Sequence, residues 1–496
     1  MVVCAMSFTV SPEQAQPPFV LALDVGSTGT RGGLYDATGL PVRGCRLKIP
    51  HAFTTGSDGT ATIDADQVAD ELRQITEFVA GTAGTRPIAG VALDTFASSL
   101  VGVDADGNAV TPCYTYADSR CAAEVDHLRT VLDEDATQQR TGTRQHTGYL
   151  PPRFLWLREA DADTFGRVRR WMSLGEYAYL KLIGTTAAGT STAAWTGMLN
   201  RLEGDWDAEL CALVGVQAEQ FSPIAPPSRP LTAALAPLHA NLAEAVWFPP
   251  IADGFASSLG AGGTDSSSIV AAAATSGAMR VLVDGLVDDL PRGLWCYRVD
   301  ENRSLLGGAL NDVGRAVSWL QATLNLPEPG ELDAALRADP SPLTPLVLPW
   351  FTGERSTGWV GNARAEFHRV SAGTTPADLY RATIEGVALS YQRMLAQLTR
   401  AAGGAQRVLA TGSVTGEVPG LMQVLADAIG VEVLPITIKR STLHGTAMQA
   451  LEILVPGAEF VPPDHGDVIS PVAGREAYYR ERVAAFADLY DKVVAR

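Results

Sequence analysis

Hydrophobic and polar positions repeat along the chain with two different periods. Short apolar runs at residues 19–24, 31–35 and 88–93 have the length of strands, whereas residues 65–79 repeat apolar positions every three to four residues, as an amphipathic helix does. Strands that alternate with helices are typical of a sheet covered by helices. The pattern therefore predicts an α/β fold.

A proline-rich segment interrupts this pattern near the middle of the chain. Residues 222–239 read SPIAPPSRPLTAALAPLH, which is too rich in proline to form one regular element. Shortly afterwards an apolar run leads to Asp253 and then opens into small residues. Because a chain of 496 residues is long enough for more than one domain, we expect a boundary between two lobes near Asp253.

The first predicted hairpin, LALDVGSTGTRGGLYDATG at residues 21–39, carries candidate chemistry at its tip. Consecutive backbone N–H groups in a turn of Gly, Ser and Thr form a concave anion site, and the hydroxyls of Ser27, Thr28 and Thr30 add donors for phosphate oxygens. Asp24, just before the tip, is suited to hold a hydrated Mg²⁺ against the same phosphates. An ordinary tight hairpin with convenient turn residues is the alternative.

Other phosphate-binding motifs are missing. No Lys follows a Gly, which excludes a GxxxxGK[ST] loop, and no GxGxxG follows a predicted strand. If the protein binds ATP, we expect it to do so with hairpins.

A second stretch repeats the design of the first hairpin. Residues 269–285, IVAAAATSGAMRVLVDG, give an apolar strand, a Thr-Ser-Gly tip, an Arg, a second strand and an Asp-Gly, without the leading Asp. Two such hairpins, one beginning each half, suggest a duplicated lobe whose two tips face each other across a cleft. Chance similarity over so few residues is the alternative.

Composition and charge exclude several classes of partner. The formal net charge is −17 and lysine stands only at positions 48, 181, 439 and 492, so there is no basic surface for nucleic acid or anionic lipid. The longest apolar runs are well short of the roughly 18 residues that span a bilayer. We expect a cytoplasmic protein; homodimer formation is compatible with the sequence.

The cysteines, histidines and N-terminus give no metal or targeting signal. The six cysteines are scattered without CxxC spacing, which favours reduced thiols, and the seven histidines show no HxxxH or HxH spacing. Residues 1–18 have no basic leader and are expected to form a flexible tail before the first strand.

The hairpin LALDVGSTGTRGGLYD resembles the first phosphate loop of the actin, heat-shock ATPase and sugar kinase superfamily, and within it the FGGY carbohydrate kinases. The resemblance continues in order through nearly the whole chain. The matching segments include GVALDTFASSLVGVDADGNAVTPCYTYADSR, IADGFASSLGAGG, ATSGAMRVL, LWCYRVDENRSLLGGALNDVGRAVSWL and VLATGSVTGEVPGLMQVLADAIG. The segments LWCYRVD, GGALNDVGRAVSWL and TSGAMR look most like those of the gluconate kinase branch.

The resemblance implies a fold and a division of the chain. The expected architecture is α/β, with two ribonuclease-H-like (actin-like ATPase) lobes, each a mixed sheet flanked by helices, and an interlobe cleft. The expected divisions are a tail at residues 1–18, an N-terminal lobe at 19–254 that binds sugar and carries the first phosphate loop, and a C-terminal lobe at 255–496 that carries the second phosphate loop and binds adenine.

The resemblance also implies the catalytic group. A sugar kinase needs a carboxylate to accept the proton of the attacking hydroxyl, and Asp253 of IADGF matches the family's catalytic Asp. A helix N-cap for the segment FASSLGAG is the structural alternative for Asp253. Asp24 and Asp253 are the expected Mg²⁺ ligands, through water.

The expected ATP-binding residues come from both halves of the chain. They are Gly26, Ser27, Thr28 and Arg31 of the first loop, Thr275, Ser276 and Gly277 of the second, and Gly314, Ser318, Gly412 and Ser413 near the adenine. Relatives commonly have a second Gly where Ser413 stands, and Arg31 has a surface ion pair as its alternative role.

The expected sugar-binding residues supply paired donors and acceptors for hydroxyl groups. They are Ser98, Ser99, Tyr116, Asp118, Arg120, Tyr149, Asp253 and Gly254. Arg120 is suited to grip a substrate carboxylate, or else pairs with Asp118 to hold a loop. Several relatives have His where Ser98 stands, so the shorter hydroxyl leaves room for a different substrate.

The resemblance thus implies an ATP-dependent carbohydrate kinase. The expected substrate is gluconate, giving 6-phosphogluconate; a pentulose, a pentitol or another polyol is the alternative on the same scaffold. A non-kinase ATPase of the actin or heat-shock type is the alternative hypothesis from a different functional class.

Overall fold

The computed structural model describes residues 8–404 and 407–494. The strands are β1 (Phe19–Gly26), β2 (Gly29–Tyr35), β3 (Pro41–Ile49), β4 (Thr54–Thr55), β5 (Ala61–Ile63), β6 (Ile88–Thr95), β7 (Val101–Val103), β8 (Cys113–Tyr114), β9 (Arg170–Met172), β10 (Ala188–Gly189), β11 (Leu199–Asn200), β12 (Asp205–Trp206), β13 (Ile224–Ala225), β14 (Val246–Trp247), β15 (Ile251–Ala252), β16 (Ser268–Ala273), β17 (Gly277–Asp284), β18 (Trp295–Arg298), β19 (Arg303–Leu310), β20 (Leu346–Leu348), β21 (Glu366–His368), β22 (Arg407–Thr411) and β23 (Glu432–Pro435).

The helices are α1 (Ala65–Thr82), α2 (Ala122–Val131), α3 (Glu134–Thr141), α4 (Leu150–Ala160), α5 (Ala162–Arg167), α6 (Leu174–Ile183), α7 (Thr190–Trp195), α8 (Ala208–Val214), α9 (Asp253–Gly260), α10 (Gly314–Thr323), α11 (Pro329–Arg337), α12 (Pro376–Ala402), α13 (Val414–Glu417), α14 (Pro419–Ile429), α15 (Ser441–Leu454) and α16 (Glu476–Val493). The elements expected from the apolar pattern are therefore present, with ends that differ by a few residues.

The chain forms two compact units. The first contains the described residues up to Gly260 together with Tyr297–Ser304 and Ile438–Pro463. The second contains Ala261–Cys296, Leu305–Thr437 and the described residues from Asp464 onward. The expected division at residue 254 thus differs from the observed one, which keeps all of α9 in the first unit and returns α15 to it.

The first unit is built on a sheet with strand order β14-β6-β1-β2-β3, and β15 also pairs with β6. β1 is buried on both faces: Leu21 and Leu23 pack in the cluster that contains α1 and α6, whereas Val20 and Ala22 contact residues of α15. A strand covered on both faces reads as a continuous apolar run, which explains the sequence FVLAL before Asp24.

The second unit repeats the core of the first. Its sheet has the order β18-β19-β17-β16-β22-β23. β16 pairs antiparallel with β17 and parallel with β22, just as β1 pairs antiparallel with β2 and parallel with β6. The duplication expected from the two hairpins is therefore present in the strand topology.

The segment expected to be a flexible tail is partly attached. Residues 1–7, and with them Cys4, lie outside the described residues. Within 8–18, Val10 exchanges backbone hydrogen bonds with Pro41 and Arg43 beside β3, and the N–H of Gln16 donates to Asp36 Oδ2 at 3.1 Å. Over these residues the chain is held against the first unit because a strand edge supplies partners for its backbone groups.

In the part of the chain that the structure describes, no helix is both long and apolar enough to cross a membrane. The five described cysteines are buried.

Candidate active site

Three aspartates lie at one edge of the sheet in the first unit. The parallel register pairs Asp24 at the end of β1 with Asp94 on β6, and pairs Thr95 of β6 with Ala252 of β15. Asp253 follows Ala252 directly and is the first residue of α9. Since the carboxyl ends of parallel strands share one edge, where α/β proteins bind ligands, the three side chains form a candidate site.

Asp24 and Asp94 are both buried. Burial raises the pKa of Asp24 to about 6; the charge of Arg31 acts against this rise and that of Asp253 adds to it. Arg31 Nη1 lies 3.1 Å from Asp24 Oδ2, so Arg31 pairs within the site rather than at the surface. Burial, followed by the neighbouring charge of Asp24, raises the pKa of Asp94 well above its usual range.

Asp94 was not expected from the sequence. In VALDTF it looks like one more residue of a buried strand, and only the register brings it beside Asp24. Its Oδ2 accepts a hydrogen bond from Thr446 Oγ1 of α15, a residue 352 positions further along the chain. No local sequence signal identifies such a partner.

Asp253 is partly exposed, and its Oδ1 accepts the N–H of Gly254 at 2.7 Å. Because Asp253 begins α9, its carboxylate lies at the end of the helix that favours negative charge. The arrangement suits a general base as well as a helix-terminal residue.

The turn between β1 and β2 exposes Ser27 and Thr28. Gly29 has φ +148°, and a Cβ there would lie 2.7 Å from the carbonyl oxygen of Ile49, so a side chain at this position is excluded. Thr30 corrects the sequence analysis: it is fully buried and donates its hydroxyl to Glu71 Oε2 at 2.6 Å, so it is not directed to a phosphate.

The serines expected to bind sugar are buried. Ser98 has the unusual φ of 58° and donates its hydroxyl to the carbonyl oxygen of Trp195 at 2.6 Å. Ser99 Oγ accepts the N–H of Leu174 at 3.0 Å. Both hydroxyls thus hold neighbouring segments, and the positive φ of Ser98 marks a constrained backbone of the kind found at binding sites.

The segment YADSR forms a fixed loop. Asp118 accepts hydrogen bonds from Arg120 Nε and Nη2, with the Nη2 contact at 2.7 Å, and the N–H of Ala61 donates to Asp118 Oδ2. The Arg120 guanidinium also lies over the ring of Trp156, 4.3 Å from its centroid. The ion pair between Asp118 and Arg120, expected as the alternative role in which Arg120 holds the loop, is therefore present.

The two expected tyrosines have different environments. Tyr116 is 45% exposed and packs edge to face with Phe53 and Phe96. Tyr149 is buried, and its hydroxyl lies 2.6 Å from that of Tyr297, whose ring stacks on Trp195. Tyr116 is thus the more accessible of the two.

Arg153 organises the sugar-binding segments and was missed by sequence reasoning. It is fully buried and donates from Nη1 to the carbonyl of Ser98 and from Nη2 to the carbonyls of Asp118 and Thr147. Buried arginine is uncommon unless its donors are paired. One guanidinium therefore joins three segments that carry or adjoin expected site residues.

The second unit has a corresponding edge, lined by glycine. The N–H of Gly314 donates to the carbonyl of Ala274 at 2.8 Å, which sets the start of α10 against the hairpin tip. A Cβ on Gly412 would lie 2.2 Å from the carbonyl oxygen of Ala273, and one on Gly277 would lie 2.2 Å from Tyr391 Oη. The three expected glycines thus allow close backbone packing around this tip.

The polar residues expected at this edge are exposed. They are Thr275 and Ser276 at the tip, Ser318 one turn into α10, and Ser413 after β22. Their hydroxyls are accessible to a ligand.

Comparison with known proteins places this arrangement in a family. Residues 19–249 match the N-terminal domain of the FGGY family of carbohydrate kinases and residues 263–452 its C-terminal domain. The gluconokinase of Bacillus subtilis (strain 168) is 22% identical over 413 residues, 79% of this chain and 80% of that protein. The gluconate kinase structure from Lactobacillus acidophilus aligns with a TM-score of 0.88 at 23% identity over 96% of this chain and 98% of that one.

The ligand-bound xylulose kinase structure from Lactobacillus acidophilus aligns equally well, with a TM-score of 0.89 at 23% identity over 96% of this chain and 98% of that one. These alignments confirm the expected two-lobe, actin-like ATPase fold. The two domain matches together cover most of the sequence. The chain therefore belongs to the FGGY family of carbohydrate kinases.

Proposed function

We propose that this carbohydrate kinase transfers the γ-phosphate of ATP to a hydroxyl of gluconate and forms 6-phosphogluconate. The observation that carries the proposal is the carboxylate edge of the first unit, where Asp253 begins α9 beside the register pair of Asp24 and Asp94. Similarity to a gluconokinase and to a gluconate kinase structure supports the choice of substrate.

Asp253 acts as the general base in this proposal. The sugar hydroxyl oxygen attacks the γ-phosphorus, the bond from that phosphorus to the bridging oxygen breaks, and ADP leaves with the electron pair. Asp253 takes the hydroxyl proton as the new P–O bond forms. The N–H of Gly254, held on Oδ1 at 2.7 Å, fixes the orientation of the carboxylate for this transfer.

Asp24 and Asp253 are the proposed carboxylates for Mg²⁺, through water. Among the described residues, no group of three or more His, Cys, Asp or Glu side chains is arranged to enclose a metal ion. This fits Mg²⁺, which keeps several waters and uses one or two carboxylates beside substrate phosphates. When bound, the ion neutralises charge on the phosphates.

The nucleotide is assigned to the turns that expose polar groups. In the first unit we assign Gly26, Ser27, Thr28 and Arg31 to the phosphates. In the second unit we assign Thr275, Ser276 and Gly277 to the phosphates and Gly314, Ser318, Gly412 and Ser413 to the adenine. The exposure of the hydroxyl-bearing members of this set supports the assignment.

The sugar acid is assigned to the segments that Arg153 joins. The proposed contacts are Ser98, Ser99, Tyr116, Asp118, Arg120, Tyr149, Asp253 and Gly254. Arg120 uses Nε and Nη2 for Asp118, and its Nη1 makes no hydrogen bond to a described residue. Nη1 is therefore the proposed donor to the carboxylate of gluconate.

A pentulose or pentitol is the second candidate substrate. The equal similarity to a xylulose kinase structure favours it. Ser98 favours it as well, because its side chain is shorter than the His of several relatives and its hydroxyl donates to the carbonyl of Trp195. A substrate without a carboxylate would leave Nη1 of Arg120 without a substrate partner.

Coupled ADP release from MgATP tests the proposal. The panel contains gluconate, other aldonates, glycerol, xylitol, xylulose and ribulose. Strong stimulation by gluconate alone supports the proposal; stimulation only by a pentulose or polyol retains the kinase chemistry and replaces the substrate. ATP hydrolysis that no sugar changes would favour the non-kinase ATPase.

The Asp253→Ala variant tests the assigned base. Turnover is expected to fall by about 10²- to 10⁴-fold, because the proton acceptor and one of the two carboxylates proposed for Mg²⁺ are removed. ATP binding is expected to persist because the turns of both units are unchanged. Asp106→Asn, at an exposed turn, is the matched control. Near-normal turnover of Asp253→Ala would overturn the assignment.

A further inference from the structure

One histidine underlies the turn between β1 and β2. The His51 side chain is fully buried, and its Nε2 lies 2.8 Å from the carbonyl oxygen of Gly26. The backbone N–H of the same residue donates to the carbonyl of Thr28 at 3.4 Å. His51 therefore contacts the carbonyl groups on both sides of Ser27.

The contact determines which way the turn presents its backbone. The C=O and N–H of a trans peptide point in opposite directions. Because the carbonyl of Gly26 points toward His51, the N–H of Ser27 in the same peptide points away from it. An anion site needs N–H groups directed at the ligand and carbonyl oxygens directed elsewhere, and this contact produces that orientation.

Glu71 on α1 holds the histidine in turn. Its Oε2 lies 2.8 Å from His51 Nδ1 and accepts the hydroxyl of Thr30 at 2.6 Å. Its Oε1 accepts from Gln67 Nε2 at 2.9 Å. The Glu71 side chain is only 6% exposed, so the network is sheltered from water.

The acceptors fix where hydrogen atoms must lie. A carbonyl oxygen only accepts, so the bond to Gly26 requires hydrogen on Nε2 of His51. The His51 ring makes both hydrogen bonds at the same time only when a second proton lies between its Nδ1 and Glu71 Oε2. The residues thus form a continuous chain of hydrogen bonds from α1 to the turn.

We propose that Thr30, Glu71 and His51 are positioning residues for the phosphate donor, acting by orienting the Gly26–Ser27 peptide so that the Ser27 N–H meets a phosphate oxygen of ATP. The inference rests on the proposed function and deepens it. None of the three residues touches substrate; their effect passes through the backbone of the turn. Loss of the network is therefore expected to weaken nucleotide binding without changing the affinity for sugar.

Direct binding of MgADP and MgATP, measured by titration calorimetry without sugar, tests the inference. His51→Phe and Glu71→Leu are expected to weaken nucleotide binding by about 10- to 100-fold, the usual effect of losing a hydrogen bond in a charged network. In turnover assays the KM for ATP rises in the same proportion and the KM for sugar stays constant.

Conservative variants separate positioning from folding. In Glu71→Gln the amide NH₂ group donates to Nδ1 of His51 and to Thr30 Oγ1 while the amide oxygen accepts from Gln67, so binding within about threefold of wild type is expected. Thr30→Val keeps the shape and removes the hydroxyl. Its matched control is Thr76→Val, because Thr76 is equally buried and its hydroxyl has no hydrogen-bond partner among the described residues.

The outcomes are distinguishable. Weakened binding in His51→Phe and Glu71→Leu, with rescue in Glu71→Gln and no effect in Thr76→Val, supports the inference. Wild-type nucleotide binding in His51→Phe overturns the inference while leaving the kinase proposal intact. So does a loss of binding in Thr76→Val equal to that in Thr30→Val, or a rise in the KM for sugar equal to that in the KM for ATP. A wild-type chain that binds neither nucleotide would overturn the proposed function itself.

Discussion

Asp94 Oδ2 accepts a hydrogen bond from Thr446 Oγ1 at 2.6 Å, and this contact joins β6 to α15 at the carboxylate edge. Asp94 is fully buried and is the register partner of Asp24. Two adjacent carboxyl groups do not both ionise easily, and burial followed by the charge of Asp24 raises the pKa of Asp94. Asp94 is therefore the member of the pair whose neutral form is the more favoured.

Asp94→Asn tests this assignment because an amide resembles a protonated carboxyl group. The amide oxygen still accepts the hydrogen bond from Thr446, so kcat is expected to stay within about tenfold of wild type. This loss is much smaller than the loss expected for removing a general base. As the pH rises, the melting temperature of the wild type is expected to fall more than that of Asp94→Asn, since only the carboxyl group can lose its proton and leave a buried charge. A loss of several hundredfold in kcat would instead assign Asp94 to the chemistry.

Close packing of α9 on α15 sets the position of Asp253. A Cβ on Gly445 would lie 1.8 Å from the carbonyl oxygen of Ala256, and one on Gly260 would lie 1.8 Å from that of Ser441. Gly445→Ala must therefore push the two helices apart. The free energy of unfolding is expected to fall by about 1–3 kcal/mol or more, and turnover to fall with it because α9 begins at Asp253.

Chemical denaturation and the coupled assay measure the two effects of Gly445→Ala. The control is Gly81→Ala on α1, where a Cβ would meet no atom within 4 Å and where stabilisation by about 0.4–1 kcal/mol is expected. Unchanged stability of Gly445→Ala would show that the helices adjust without cost.

The sequence predicts the features that depend on neighbours in the chain. The hairpin containing Asp24, its repeat around Thr275, and Asp253 after an apolar run are local patterns, and the structure contains each of them. The role of donor to phosphate oxygens expected for the Thr30 hydroxyl is wrong, although Thr30 belongs to the same local hairpin pattern. Its side chain lies on the face of β2 that meets α1, and a turn pattern does not reveal which face that is.

Features that depend on distant partners were not predictable. Asp94 gains its role from a register between strands about 70 residues apart, and from Thr446 on a helix that the chain adds to the first unit near its end. Arg153 and His51 look like ordinary residues of a helix and a loop. Only the folded chain reveals the backbone carbonyls that they contact.

His444 is expected to make the protein sensitive to acid. It is 2% exposed, packs against the rings of Phe8 and Tyr35, and has Nδ1 at 3.2 Å from the carbonyl oxygen of Gly260. Burial lowers its pKa, so the unfolded chain binds a proton more readily than the folded one. Stability contributed by neutral His444 is present above about pH 6.5 and is lost as the pH falls below that value.

His444→Asn removes this titration while an amide replaces the Nδ1 donor. Urea denaturation at pH 7.5 and pH 5.5 is expected to give a smaller difference in unfolding free energy for the variant than for wild type. The exposed His127, changed to Asn, serves as the control. Equal pH dependence in His444→Asn and wild type would contradict the expectation.

Arg120 distinguishes the two candidate classes of substrate. Its Nε and Nη2 hold Asp118 and its guanidinium stacks on Trp156, so any replacement weakens the loop and raises the KM for every sugar. If Nη1 also binds a substrate carboxylate, Arg120→Gln adds a loss confined to acids.

The expected result for Arg120→Gln is a fall in kcat/KM for gluconate at least about tenfold larger than the fall for a neutral polyol, as a charged hydrogen bond is worth about 1.5–3 kcal/mol. Kinetics with saturating ATP measure both substrates on one preparation, and an unchanged KM for ATP confirms that the rest of the protein is intact. Equal losses for gluconate and polyol would restrict Arg120 to holding the loop. The recognition of a sugar acid would then require another cation, and a neutral substrate would become the better assignment for this kinase.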